Sequence, residues 1–190
     1  MIRSIVRTTL GAALLLLATS CGSVAPTKFV NPNFNFGFVE RVAILPMDNM
    51  TEDRQAADQA SRLLVTELLA SGAVDVVEPG EVRAAMAKAG ISGGSPSKEQ
   101  VIALGKSLGA QAVMTGAVTQ AGNVRAGTLL VPVVTVDVHL LETETGAPVW
   151  AATVTEKGTS FGAQFFGTTA EASSETMRKA MKEVVRRLVG

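Results

Sequence analysis

The chain has 190 residues, 47% of them hydrophobic and 18% charged, with 17 Lys and Arg against 17 Asp and Glu and one histidine. Balanced charge argues against the basic patch of a nucleic-acid binder. The single cysteine excludes an intramolecular disulfide and a Cys-based zinc cluster, so packing must hold the fold in any redox compartment.

The first 20 residues read as a secretion signal. Arg3 and Arg7 form a positive n-region, residues 10–17 a short apolar h-region, and small residues lead to Cys21. The apolar run is shorter than a bilayer-spanning helix needs. Leu17-Ala18-Thr19-Ser20-Cys21 resembles the bacterial lipobox, with Ala18 where Leu is usual. The resemblance implies removal of residues 1–20 and a covalent lipid on Cys21, diacylglycerol with palmitate-type chains, and no other cofactor. Taking Arg3 and Arg7 from the 17 basic residues leaves 15 against 17 acidic ones, a formal charge of −2. Gly22 and Ser23 follow, with no Asp after the cysteine, which by the same resemblance favours the periplasmic face of the outer membrane.

Residues 21–37 contain two prolines and no helical period, and read as a tether. Its 17 residues span at most roughly 60 Å. A single α/β domain is expected over residues 38–190.

Residues 39–45 form a β-branched apolar run ended by Pro46, a first strand. Ala56, Ala60, Leu63, Leu64 and Leu68 recur at helical spacing, and Gly72 stands where a left-handed cap is needed. Residues 74–77 give a short strand, and Pro79 opens a helix that stops at Gly90. Ser97 and Gln100 have capping-box spacing before a helix ending at Gly109. Residues 112–119 give a third strand, residues 121–127 a turn, and residues 129–141 the longest strand. In that strand Val134, Val136, Val138 and Leu140 alternate with Thr135, Asp137 and His139, so one face is core and the other wet or at an interface. Residues 143–146 turn the chain into a strand over 149–155. Thr168 and Glu171 offer a second capping box for a last helix carrying Met177, Met181, Val184 and Leu188. The order βαβααβββα implies a mixed sheet of about five strands with helices packed on it.

Val42-Ala43-Ile44-Leu45-Pro46 with Asp48-Asn49, then Ser71-Gly72 and Val76-Val77-Glu78, resembles the start of the CsgG-like and TolB N-terminal-like periplasmic domains. Leu108-Gly109-Ala110-Gln111-Ala112 is similar to the helix–Gly-Ala-Asp-Ala–strand element of those families, with Gln111 where an acid is usual. They include the curli channel CsgG, the ring-forming PelC and the synthase activator LpoB. The resemblance implies a periplasmic lipoprotein without enzymatic activity that works through protein contacts. A membrane-spanning hairpin needs about 9 to 11 residues per strand, which residues 120–128 and 156–167 do not supply. The tether is also too short for long-range activation of an inner-membrane synthase. The reading that remains is a self-associating scaffold of an envelope export or assembly system, with a monomeric regulator of a cell-wall synthase as the alternative.

All eight aromatic residues lie outside residues 39–149. Phe34, Phe36 and Phe38 alternate and would project from one face of an extended chain. With Trp150, Phe161, Phe165 and Phe166 they are the candidate interface, for a subunit or a membrane surface. The alternative is that they cover the ends of their own sheet, or, for Trp150, pack on a helix of the same domain. His139 has no second histidine or cysteine beside it, and no metal or catalytic residue is expected. Asp48 and Asn49 are the best polar site candidates, at the carboxyl end of the first strand, though turn formation explains them more simply.

Overall fold

The computed structural model describes residues 27–126, 129–158 and 172–190. In chain order it contains β1 (Lys28–Val30), β2 (Arg41–Ile44), β3 (Asp48–Asn49), α1 (Ala56–Ser71), β4 (Asp75–Val76), α2 (Pro79–Lys88), α3 (Lys98–Leu108), β5 (Ala112–Ala126), β6 (Leu129–Glu142), β7 (Pro148–Lys157) and α4 (Ser173–Val189). The expected α/β class and mixed sheet are present, with seven strands in place of about five. Strands run in the order β1-β7-β6-β5-β2-β4, with β3 paired to β5. β2 lies parallel to β4 and β5, whereas β5, β6, β7 and β1 form an antiparallel run.

The local signals explain most boundaries. α1 buries Ala56, Ala60, Leu64 and Leu68 and ends where Gly72 turns left-handed at φ 63°. α3 starts with a complete capping box: Gln100 N donates to Ser97 Oγ, and Ser97 N donates to Gln100 Oε1 at 2.8 Å. Each side chain satisfies one orphan helix donor. The capping box expected at Thr168 and Glu171 lies outside the described residues; α4 begins at Ser173 behind Ala172, which makes no side-chain cap.

Two helical layers of unequal reach cover the sheet. α1 and α4 pack on one face across β2, β5, β6 and β7, burying Met114, Val136, Val138 and Trp150 beneath Leu64 and Met181. α2 and α3 pack on the other face over Ala43, Leu45 and Val113, a smaller core at one side of the sheet.

Two expectations are corrected. Residues 28–30, placed in the tether, pair antiparallel with β7 through Lys28↔Ala152, Phe29↔Ala151 and Val30↔Trp150. Without them the outer edge of β7 would present unpaired backbone groups there, so the sheet already includes residues 28–30, ahead of the domain start expected at residue 38. Residues 121–126, expected as a turn, continue β5: Gly122 and Asn123 pair with Val133 and Pro132. The register shifts between Val118 and Gln120, a bulge that keeps the ladder going past polar residues.

α4 is tied to the sheet by chemistry as well as packing. Arg187 Nη1 donates to the carbonyl of Thr153 on β7 at 3.0 Å, and Glu183 accepts from Arg187 Nε at 2.7 Å and from Arg186 Nε at 2.6 Å. Hydrogen bonds from Arg186 and Arg187 hold the Glu183 carboxyl at about 2, well below the usual 4.5. A carboxyl depressed in the folded state stabilises the fold above its ordinary pKa and loses that contribution as the pH falls through the folded one. Glu183→Gln is therefore expected to cost about 1 kcal/mol at neutral pH. In urea unfolding, the gap to the wild-type protein should close as the pH falls from 4.5 towards 2.

Candidate interaction surface

Because α2 and α3 sit to one side, the centre of β5, β6 and β7 on that face is left to polar and small side chains. The register sets them in rows. Thr115 lies opposite His139, His139 opposite Ala151 and Ala151 opposite Phe29, spanning four strands. The next row joins Ala117, Asp137 and Thr153, and the one after it Gln120, Thr135 and Thr155. The first two rows floor an open groove of about 500 Å³, and the third continues the same face beyond it. Two exposed apolar side chains stand in its walls: Phe29 on β1 is 47% exposed, and Met50, just after β3, is 69% exposed.

The polar groups of the floor bind one another. Thr153 Oγ1 donates to Asp137 Oδ1 at 2.5 Å, and the hydroxyls of Thr135 and Thr155 lie 3.0 Å apart. The face is thus pre-formed and polar without holding a concentrated charge. Cross-strand pairs of this kind also stiffen the sheet.

Asp48 lines the groove but serves the loop beside it. Gly94 N donates to Asp48 Oδ1 at 2.8 Å and Ser95 Oγ to Asp48 Oδ2 at 3.0 Å. A Cβ at position 94 would lie 2.7 Å from the Pro46 carbonyl oxygen, so this docking requires glycine. Asn49 accepts from Thr51 N at 3.0 Å and donates to the Asp53 carbonyl at 2.7 Å, which shapes the turn into α1. Both residues therefore act as local locks.

The aromatic candidates separate. Phe34 and Phe36 meet edge to face, with centroids 5.0 Å apart, and pack against the main core. Residues 36–38 form one turn of 3-10 helix, so the three rings do not share one face as an extended chain would have them. Trp150 is 1% exposed inside the core, and its Nε1 has no hydrogen-bond partner among the described residues. It offers no surface to a partner. Phe38, 54% exposed, does. Cys21, Phe161, Phe165 and Phe166 lie outside the described residues.

Phe29 and the groove behind it were not among the candidates. The polar alternation of β6 had marked the face, but β1 consists of only three residues and its pairing with β7 is non-local. The β-prone run Lys28-Phe29-Val30 was the available signal. Among the described residues no group of three or more His, Cys, Asp or Glu could hold a metal ion, and no helix is long and apolar enough to cross a membrane.

Replacing both Phe34 and Phe36 by serine should cost about 2–4 kcal/mol of stability, since each ring leaves a partly buried site. Phe38→Ser should stay within about 0.5 kcal/mol of the wild-type protein. Urea unfolding monitored by circular dichroism measures both.

The family model that matches this chain is that of the peptidoglycan-synthase activator LpoB, over residues 27–155. Among solved structures, the PelC dodecamer from Paraburkholderia phytofirmans is 24% identical, with 85% of this chain and 94% of that one covered at a TM-score of 0.58. The lipoprotein GNA1162 from Neisseria meningitidis is 15% identical, with 79% and 98% covered at a TM-score of 0.57. At these identities the likeness is one of fold. No curated protein matches the chain.

Proposed function

The chain belongs to the LpoB family, and on that premise we propose that it is a non-enzymatic periplasmic lipoprotein, anchored through Cys21, that works as a self-associating accessory of an envelope export or assembly system. The observation that carries this reading is the half of the sheet that no described helix covers. A face of β5, β6 and β7 that is polar, pre-organised and walled by Phe29 and Met50 suits a protein partner. Interfaces of this type combine exposed apolar anchors with a polar surround that keeps the free protein soluble. One of the solved structures whose fold covers most of this chain, PelC, is a dodecamer.

The site offers little for catalysis. His139 lies opposite Thr115 and Ala151, and the Asp137 carboxylate is engaged by Thr153. A binding role needs neither a nucleophile nor a base. The domain would present its open face while the lipid keeps it at the inner surface of the outer membrane.

A second reading has one observation in its favour, the family's own description as synthase activators. The anchoring geometry weighs against it. With β1 starting at Lys28, only seven residue steps separate Cys21 from the fold, a reach of roughly 25 Å. An activator so close to its membrane can meet only a partner that comes to it.

Acylated protein in detergent should run as a closed oligomer with a fixed subunit number in native mass spectrometry. Met50→Arg combined with His139→Glu should reduce that oligomer to monomers while leaving the unfolding free energy unchanged within about 0.5 kcal/mol, since both side chains are exposed and line the groove. A wild-type chain that stays monomeric, yet raises the rate of a cell-wall synthase when mixed with it, would decide for the second reading.

A further inference from the structure

β1 fixes the direction in which the chain leaves the domain. Lys28 pairs with Ala152, Ala152 pairs with Val138, and Thr153 N donates to the Thr27 carbonyl at 3.2 Å. β1 therefore runs parallel to β6, and its N-terminal end at Thr27 points towards the tip of the β5–β6 hairpin. Thr27 is level with Asp137, because both lie opposite Thr153. Cys21 is six residues earlier, so it reaches at most about 20 Å in that direction. The same six steps along β6 end at Val131. A contracted leash leaves less distance still between the lipid and the sheet.

The hairpin end at that level carries exposed apolar side chains. β7 pairs with β6 only as far as Val133, and from there the β5–β6 ladder continues as two strands to Ala126↔Leu129. On it Leu130 is 57% and Val124 37% exposed, whereas Val131, between Leu130 and the sheet, is 2% exposed. Arg125, also exposed, lies opposite Leu130. Leu130, with the Arg125 guanidinium beside it on one face of the ladder, and Val124 on the other face fit an end-on contact with the boundary between acyl chains and lipid phosphates. The four residues on each side beyond the β7-paired region are too few to span a bilayer, which takes about 9 to 11 per strand.

We propose that the end of the β5–β6 hairpin rests in a phospholipid bilayer surface as a second contact beside the acylated Cys21, with Val124 and Leu130 at the apolar boundary and Arg125 among the phosphates. This rests on the reading of Cys21 as the lipidated residue. Two contacts fix an orientation that one flexible leash would not. The strands then stand towards the membrane, and the open groove faces sideways, where a neighbouring copy on the same membrane can meet it.

The test uses acylated Leu130→Cys protein on phosphatidylethanolamine–phosphatidylglycerol vesicles. Cys21 is blocked by its lipid, so the introduced thiol alone takes an environment-sensitive nitrobenzoxadiazole label. Leu69→Cys, at an exposed position in the last turn of α1, is the reference. It lies at the other end of the sheet, where the chain after Gly72 joins β4 to the start of β2. With brominated acyl chains in the vesicles, the label at 130 should be quenched about threefold more than the label at 69. Equal quenching on protein that still floats with the vesicles overturns the hairpin contact and leaves the anchor standing. A label at 130 that is shielded but unquenched, in an oligomer, shows a second copy covering the tip and also overturns it. Protein that does not float overturns the anchor and the contact together. If the label at 130 lowers the thermal midpoint, Val124→Cys gives the same comparison.

Discussion

The fold depends on a mismatch between a wide sheet and two helical layers of unequal reach. One face of β2, β5, β6 and β7 must be apolar along its whole width, because α1 and α4 cover all of it. The other face must be apolar only where α2 and α3 lie. β6 carries the consequence residue by residue: Val136 and Val138 are fully buried, while Asp137 and His139 point to the side those helices leave open. Moving the register of this strand by one residue would place Asp137 and His139 under α4 and the valines in the groove. Hydrophobic burial on one side thus fixes which groups the other side can present.

That coupling explains what could be read in the sequence. The alternation of β6, the capping box at Ser97 and Gln100, and the glycine stops at 72 and 109 are local signals, and each stands where it was expected. β1 and β3 are not local. With three and two residues they have no period to detect, and they exist because longer neighbours offer unpaired edges. Residues 121–126 failed for the opposite reason: Gly122 and Asn123 signal a turn, but β6 offers them partners across the ladder. Propensity yields there to tertiary context.

The candidate site was half legible. The polar face of β6 was expected to be wet or at an interface, and it floors the groove. Two readings were open for the aromatic residues, a partner surface or a cover for their own sheet, and Phe34 and Phe36 follow the second, because the segment before β2 is not the extended strand that would have aligned their rings. That segment instead crosses an end of the sheet, where Phe34 and Phe36 close the core. Aromatic clustering in irregular sequence marks either a partner or a plug, and only packing tells them apart. Phe29 gains its place on the groove wall through β1, whose pairing nothing in its own three residues announces.

The pairing of β1 with β7 also has a mechanical meaning. Ladder hydrogen bonds in an antiparallel pair stand across the strand axis. A pull on the chain before Thr27, directed along that axis, loads the β1–β7 bonds together in shear, and does not peel them open one after another. Behind them, Asn31 N donates to the Val149 carbonyl at 2.8 Å, and Phe34 and Phe36 are seated in the core. Tension arriving at the N-terminal end is therefore passed into the centre of the sheet. A domain built in this way can carry load through its first strand while its open face stays in shape.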